Sequence, residues 1–265
     1  MNKDPIQMLC IGDSISRLEY LCMQSFIANG HPVHLYAYSQ IARLPKDVLC
    51  FDANQIIPKK RIFLHKGSYA LFADFFRWKL LALNGGYYSD TDMLCIRPFE
   101  FTEKVIIGKQ SNNTLNCAFL KFPPAHPLVL EMLDCASNPN KIKPYDTSRL
   151  KRKKILKKIL NNRNQIGWGE TSGPPALTRA FNYMQDEHNG TPKNFTYFYP
   201  IDCGNFDALF DETLKDEGLY KNTCTVHLWN EMLRRGGIDK NMPFNPNSLV
   251  GKYFSLYCSD YEDVI

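Results

Sequence analysis

Two aspartates one residue apart, Asp90 and Asp92, stand in "LNGGYYSDTDMLCIRPF" (83–99), behind a Gly-Gly pair and an apolar run. Charged groups are costly to bury without compensation, so the pair either caps a turn in water or holds a cation. Read as part of an extended strand over 87–96, residues two apart point to one side, and both carboxylates face the same ion. All-oxygen ligands suit hard ions such as Mg²⁺ or Mn²⁺. Two carboxylates leave most of an octahedral shell open, so water and the phosphates of a ligand are expected to complete it.

Three further groups could share that chemistry. Asp74 and Arg77 lie three apart in the nearly apolar "SYALFADFFRWKLLALNGG" (68–86), hence on one helix face. They make an intrahelical ion pair, or a buried acceptor and donor for a sugar and its phosphates. His227 and Trp229, in "TVHLWN", are expected on one side of a strand. The imidazole there is a candidate metal ligand, and the indole either an N–H donor to a departing phosphate or a ring that packs on a sugar. Asn230 follows at the strand end. The loop "GWGETSGPPALT" (167–178) brings Glu170, Thr171 and Ser172 to a helix start, a place that attracts anions.

The elements that must position these residues read as α/β. "IQMLCIG" is a buried strand entering a loop. Ser16 with Glu19 is a capping box for a helix over 16–31, stopped at Asn29-Gly30. "PVHLYAY" alternates as a strand. This strand–helix–strand opening predicts a sheet with ligands at the carboxyl ends of its strands. Residues 39–66 read as loops and short pieces. Ser68 can cap the helix over 68–86, which Asn84-Gly85-Gly86 ends. "KVIIGKQ" and "NCAFLKF" read as strands, "HPLVLEMLDCAS" and 173–190 as helices, and "FTYFYP" and "TCTVHLWN" as late strands. "RLKRKKILKKILNNRN" (149–164) is a basic amphipathic helix with a stripe of Leu150, Ile155, Leu156, Ile159 and Leu160.

At 265 residues and 44% hydrophobic content, the chain can bury a sizeable core. The net charge of +5 is too weak to argue for nucleic acid, and none is expected as a partner. Nine cysteines, an odd count with no C-x-x-C, predict thiols in a reducing compartment. Several of them sit in apolar runs (Cys10, Cys22, Cys95, Cys224). No signal peptide is evident, and no apolar run approaches the roughly 18 residues that span a bilayer.

The stretch 68–99 resembles the DXD-containing sugar-binding region of a large glycosyltransferase group. That group includes bacterial lipopolysaccharide and capsule transferases, yeast mannosyltransferases, α-1,4-galactosyltransferases and clostridial glucosylating toxins. Its pattern of Asp-x-x-Arg, Gly-Gly and Asp-x-Asp falls here on Asp74, Arg77, Gly85, Gly86, Asp90 and Asp92. "CIGDSISRLEYLCMQSFIANGHPVHLYAY" is similar to the group's opening strand and helix, "GETSGPPALT" to its G-P-x-x-L-T segment, and "VHLWN" to its late His-x-Trp segment. Where many relatives carry an aromatic before Ile-Gly, this chain has Cys10, so base stacking would pass to Tyr36 or Tyr38.

The resemblance implies a GT-A fold: one domain over 1–265, a single Rossmann-like central sheet with flanking helices. It divides this into a nucleotide-sugar core (6–100) and a C-terminal acceptor-side part (101–265). It implies a retaining enzyme that moves a hexose from a nucleotide-diphosphate sugar, UDP-linked by preference, to a glycan or lipid-linked glycan of lipopolysaccharide or capsule type. Mn²⁺ or Mg²⁺ would be held by Asp92, with Asp90 and His227 as further ligands. Ile11, Gly12, Tyr36, Tyr38, Asp74, Arg77, Gly85, Gly86, Asp90, Thr91, Trp229 and Asn230 would receive the donor, and Glu170 would position the acceptor.

Two rival readings use the same residues: an effector that glycosylates protein side chains, and a non-catalytic sugar-nucleotide binder. The expected location is the cytoplasm, with the basic helix 149–164 touching the anionic inner leaflet of the cytoplasmic membrane.

Overall fold

The computed structural model describes residues 4–160, 170–185, 190–214 and 218–261. Along the chain run β1 (Ile6–Cys10), α1 (Arg17–Ala28), β2 (Val33–Ala37), β3 (Val48–Asp52), α2 (Ala70–Asn84), β4 (Gly86–Ser89) and β5 (Met93–Cys95). Then come β6 (Ile106–Ser111), β7 (Thr114–Phe122), α3 (Pro127–Ser137), α4 (Ser148–Ile159), α5 (Pro174–Tyr183), β8 (Thr225–His227), α6 (Asn230–Gly236) and α7 (Leu249–Tyr257). The fold is mixed α/β with a mostly parallel central sheet. It divides into two compact units, each drawing on segments from both halves of the chain.

The first unit comprises 1–52, 89–101 and 193–265. Its strands β1, β2 and β3 pair in parallel, from Ile6↔Val33 to Cys10↔Ala37 and from Val33↔Val48 to Ala37↔Asp52. The apolar run of β1 follows from this parallel setting, which buries both faces of a strand. The capping box at the start of α1 is present: Glu19 N–H donates to Ser16 Oγ, and Ser16 N–H to the Glu19 carboxylate. At the far end of α1, Cys95 N–H donates to Ser25 Oγ (2.8 Å) and Asn29 Nδ2 to Cys95 O (3.2 Å), which stitches the helix to β5. Leu18, Leu21, Leu94, Val226, Leu228 and Leu249 form part of the core beneath.

The second unit comprises 53–88 and 102–192. In it β7 lies between β4 and β6. The antiparallel β6–β7 pair closes at Ser111↔Thr114 and carries register shifts. Helix α2 buries Phe72, Phe75, Phe76, Trp78, Leu80 and Leu81 and packs on α3, while α5 covers β7. Among the described residues, no helix is long and apolar enough to cross a membrane. The nine cysteines are free thiols; of those in apolar runs, Cys22, Cys95 and Cys224 are buried and Cys10 is half-buried.

Several local expectations fail for physical reasons. The strand expected over 87–96 is two strands, with a turn at Asp90–Asp92 between them. Residues 39–66 contain β3, an edge strand with Leu49 and Cys50 exposed, so the apolar alternation that marks a half-buried strand is weak there. "FTYFYP" forms a 3-10 turn (Phe195–Tyr197), because the Asn194 side chain accepts from Thr196 N–H and bends the chain. Helix α2 begins two residues after Ser68; Tyr69 holds the cap position, and Ser68 Oγ accepts from Ala70 N–H. The tails of the expected helices at 161–164 and 186–189 lie outside the described residues.

Candidate functional site

In the first unit, the antiparallel register of β5 and β8 decides what meets Asp92. Met93 pairs with His227, and the ladder continues as Leu228 N–H donates to Asp92 O (2.9 Å). The next residue, Trp229, adopts a left-handed backbone (φ 56°, ψ 50°), rare for a bulky side chain. That turn aims Asn230 N–H back at Asp92 Oδ2, at 2.8 Å. The same oxygen lies 3.2 Å from His227 Nε2. The indole of Trp229 lies 4.1 Å from the His227 ring, and its Nε1–H donates to Ile201 O (3.0 Å). Tyr199 meets the His227 ring edge-on at 5.8 Å.

Burial works to raise the pKa of the Asp92 carboxyl. The charge and hydrogen bond of His227, with the Asn230 N–H, outweigh it and hold the group below the usual carboxylate range. Asp92 is therefore a buried anion whose setting favours a neighbouring positive charge. His227 Nδ1 is itself buried and has no hydrogen-bond partner among the described residues. A carboxylate and an imidazole, one a hard and one a borderline donor, fit a transition-metal divalent ion such as Mn²⁺ better than Mg²⁺, which prefers oxygen alone.

Three expectations about this cluster need correction. Asp90 and Asp92 occupy a turn, so strand alternation does not aim both carboxylates at one point. Among the described residues, no three His, Cys, Asp or Glu side chains gather as a metal-holding group; of Asp90, Asp92 and His227, the structure brings Asp92 and His227 together. Trp229 does not share a strand face with His227, because β8 ends at His227; its N–H donates to Ile201 O.

Elsewhere in this unit, Ile11 and Gly12 lie in the loop beyond the carboxyl end of β1, where Ser39 Oγ donates to Gly12 O (3.1 Å). Tyr36 is buried and stacks on Phe51 at 5.4 Å. Tyr38 is also buried; burial first, then Asp52, pushes its hydroxyl pKa upward. Thr91 is half-buried in the turn between the two aspartates, and Ser89 Oγ donates to Asp90 O (2.9 Å).

The second unit gathers the other group. The Arg77 guanidinium donates to Asp74 Oδ1 (2.8 Å), with both side chains buried, and lies over the Tyr88 ring at 4.9 Å. Ser172 Oγ donates to the other Asp74 oxygen (3.1 Å), and Trp78 Nε1–H donates to Ser172 O (2.8 Å). Ser172 thus joins the Asp74–Arg77 pair, a role that the reading of its loop as a helix entry did not assign. Glu170 pairs with Lys153 of α4, and its backbone oxygen accepts from Arg179. Gly85 and Gly86 both take positive φ, ending α2 and opening β4.

Comparison with known proteins bears on what these clusters serve. Residues 23–114 match the glycosyltransferase sugar-binding region containing the DXD motif, and residues 152–264 match the alpha 1,4-glycosyltransferase conserved region. Both matched models describe glycosyltransferases, and each covers less than half of the chain. The chain is 25% identical over 255 residues to the human alpha-1,4-N-acetylglucosaminyltransferase, covering 91% of its own length and less than two thirds, 64%, of the relative's. Among solved structures it resembles the PaToxG glycosyltransferase, with TM-score 0.45 and 14% identity over 69% of this chain and 70% of that one. It also resembles the apo form of the glycosyltransferase GlyE of Streptococcus pneumoniae TIGR4, with TM-score 0.46 and 12% identity over 99% and 62%.

Proposed function

We propose that this protein is a GT-A glycosyltransferase that moves a sugar from a UDP-sugar to the terminal residue of a glycan, forming an α-1,4 linkage with retention. The observation that carries the reading is the buried Asp92 carboxylate, kept ionised beside His227 at the end of the β5–β8 ladder. Asp92 and His227 are the residues that would hold a divalent cation. When bound, such an ion supplies positive charge against the negative charge that collects on a departing diphosphate. Asn230 N–H and the Leu228–Asp92 backbone bond keep the carboxylate in place.

In this reading Asp74 and Arg77, which lie within the matched DXD-containing region, bind the donor's sugar hydroxyls. Ser172 supports that assignment by orienting one Asp74 oxygen while Arg77 engages the other. The α-1,4 linkage comes from the matched conserved region and the human relative. For the donor, N-acetylglucosamine joins the hexoses as a candidate sugar on the same ground. The acceptor, in this reading, is a glycan of lipopolysaccharide or capsule type.

The test is a screen of UDP- and GDP-sugars for hydrolysis and transfer, with Mn²⁺, with Mg²⁺ and with chelator. Turnover is expected with a UDP-sugar and metal and to vanish with chelator, and Asp92→Asn is expected to lower it by about a hundredfold or more. Undiminished turnover in chelator, or a fully active Asp92→Asn enzyme, defeats the assignment. Labelled transfer onto glycans versus proteins separates the effector reading.

A further inference from the structure

Helix α4 is inverted for a helix in water. Lys154, only 3% exposed, points inward, where its Nζ donates to Asp146 Oδ2 (2.7 Å) and to Lys141 O (2.8 Å). Ile155, Leu156, Ile159 and Leu160 are 47%, 59%, 73% and 71% exposed. Helical spacing puts Arg152, Ile155, Leu156 and Ile159 on the face opposite Leu150 and Lys154. The apolar stripe therefore looks outward, apart from Leu150, which is buried.

The orientation is enforced, since Asp146 also accepts from Lys143 N–H (2.8 Å) and Thr147 Oγ1 accepts from Leu150 N–H (3.2 Å) at the helix start. Turning the stripe inward would expose the Lys154–Asp146 pair and strip the carboxylate of its buried partner.

What covers this face must be apolar at its centre and negative around it. Arg149, Lys151, Arg152 and Lys158 lie on or beside the stripe, Lys153 pairs with Glu170, and no acidic residue occurs between 148 and 160. A second copy of the helix is disfavoured because its cations would oppose these. An aliphatic face bordered by lysine and arginine matches an anionic bilayer, whose headgroups take the cations while the acyl boundary takes the aliphatic side chains. We propose that α4 is a membrane-docking helix that lies in the surface of an anionic bilayer through Ile155, Leu156 and Ile159.

The test uses the full chain in co-sedimentation with phosphatidylcholine vesicles, with and without phosphatidylglycerol, over a salt series. Binding is expected to anionic vesicles, to weaken steeply with salt, and to be slight on neutral ones. The double variant Ile155→Ser/Ile159→Ser, and separately Arg152→Glu/Lys158→Glu, are each expected to lower partitioning by about tenfold or more. These side chains are exposed, so circular dichroism is expected to match the parent for both variants. Equal binding by parent and variants, no binding to any vesicle, or a concentration-dependent dimer that both variants abolish would overturn the proposal. The outcome does not depend on the donor or the metal, so it is distinguishable from failure of the proposed reaction.

Discussion

Gly85 ends α2 with φ 62° and ψ −155°, a backbone region that side chains other than glycine's hardly enter. A Cβ built on it would lie 2.5 Å from Pro124 N, 2.7 Å from Pro124 Cδ and 2.8 Å from Phe122 O. Two of these three atoms are backbone and the third belongs to a rigid ring, so the neighbour cannot swing away. Gly85→Ala should therefore incur both penalties: about 2 kcal/mol for the conformation and about 2 kcal/mol for crowding. Gly67 is the internal control. It also has positive φ (73°), but nothing lies within 4 Å of its virtual Cβ. Gly67→Ala should cost about 1 kcal/mol from conformation alone. The small gain from restricting the unfolded chain is common to both substitutions and cancels in the comparison. A difference of about 3 kcal/mol corresponds to a melting midpoint about 6–12 °C lower for the Gly85 variant. Thermal and urea unfolding followed by far-UV circular dichroism measure it. If Gly85→Ala proves no more destabilising than Gly67→Ala, the close approach of the motif's glycine to Pro124 is wrong. So too is the view that this glycine has a packing reason independent of any ligand.

Ser172→Ala removes a hydroxyl that donates to buried Asp74 and should cost about 1–2 kcal/mol; an unchanged urea midpoint would show that the contact contributes nothing. Lys154→Met leaves buried Asp146 without its ammonium partner and should cost about 3–5 kcal/mol, read from the same denaturation curves. Asp134 is held well below the carboxylate range: burial works to raise it, and hydrogen bonds from Lys141, Lys143 and Asn138 outweigh that. A depressed carboxyl contributes stability that is present above its unfolded value and lost as pH falls toward its folded one, so the gap between parent and Asp134→Asn should close below about pH 4. A gap that stays constant on acidification would remove Asp134 from the acid response.

How far the sequence carried depends on whether a feature is set by neighbours along the chain. The capping box at Ser16 and Glu19, the Gly85 helix stop and the apolar run of β1 are local, and each is present as expected. Asp90-x-Asp92 was visible as a pair, but its geometry was not. Whether such a segment is strand or turn is settled by the pairing of β5 with β8, more than 130 residues away in sequence, and that register delivers His227 and Asn230 N–H to Asp92. The left-handed Trp229 has no signature, because glycine or asparagine is the usual occupant of that conformation. It is held by the ladder behind it and by the Nε1–Ile201 bond, and it shapes the backbone that reaches Asp92. Helix α4 carries the same lesson in reverse. Periodicity locates an apolar stripe and says nothing of which way it faces, since direction is decided by the strongest buried contact. Here the Lys154–Asp146 ion pair outranks the aliphatic stripe. An amphipathic helix with an acid placed for one of its own lysines should thus be read with both faces open until that pairing is known.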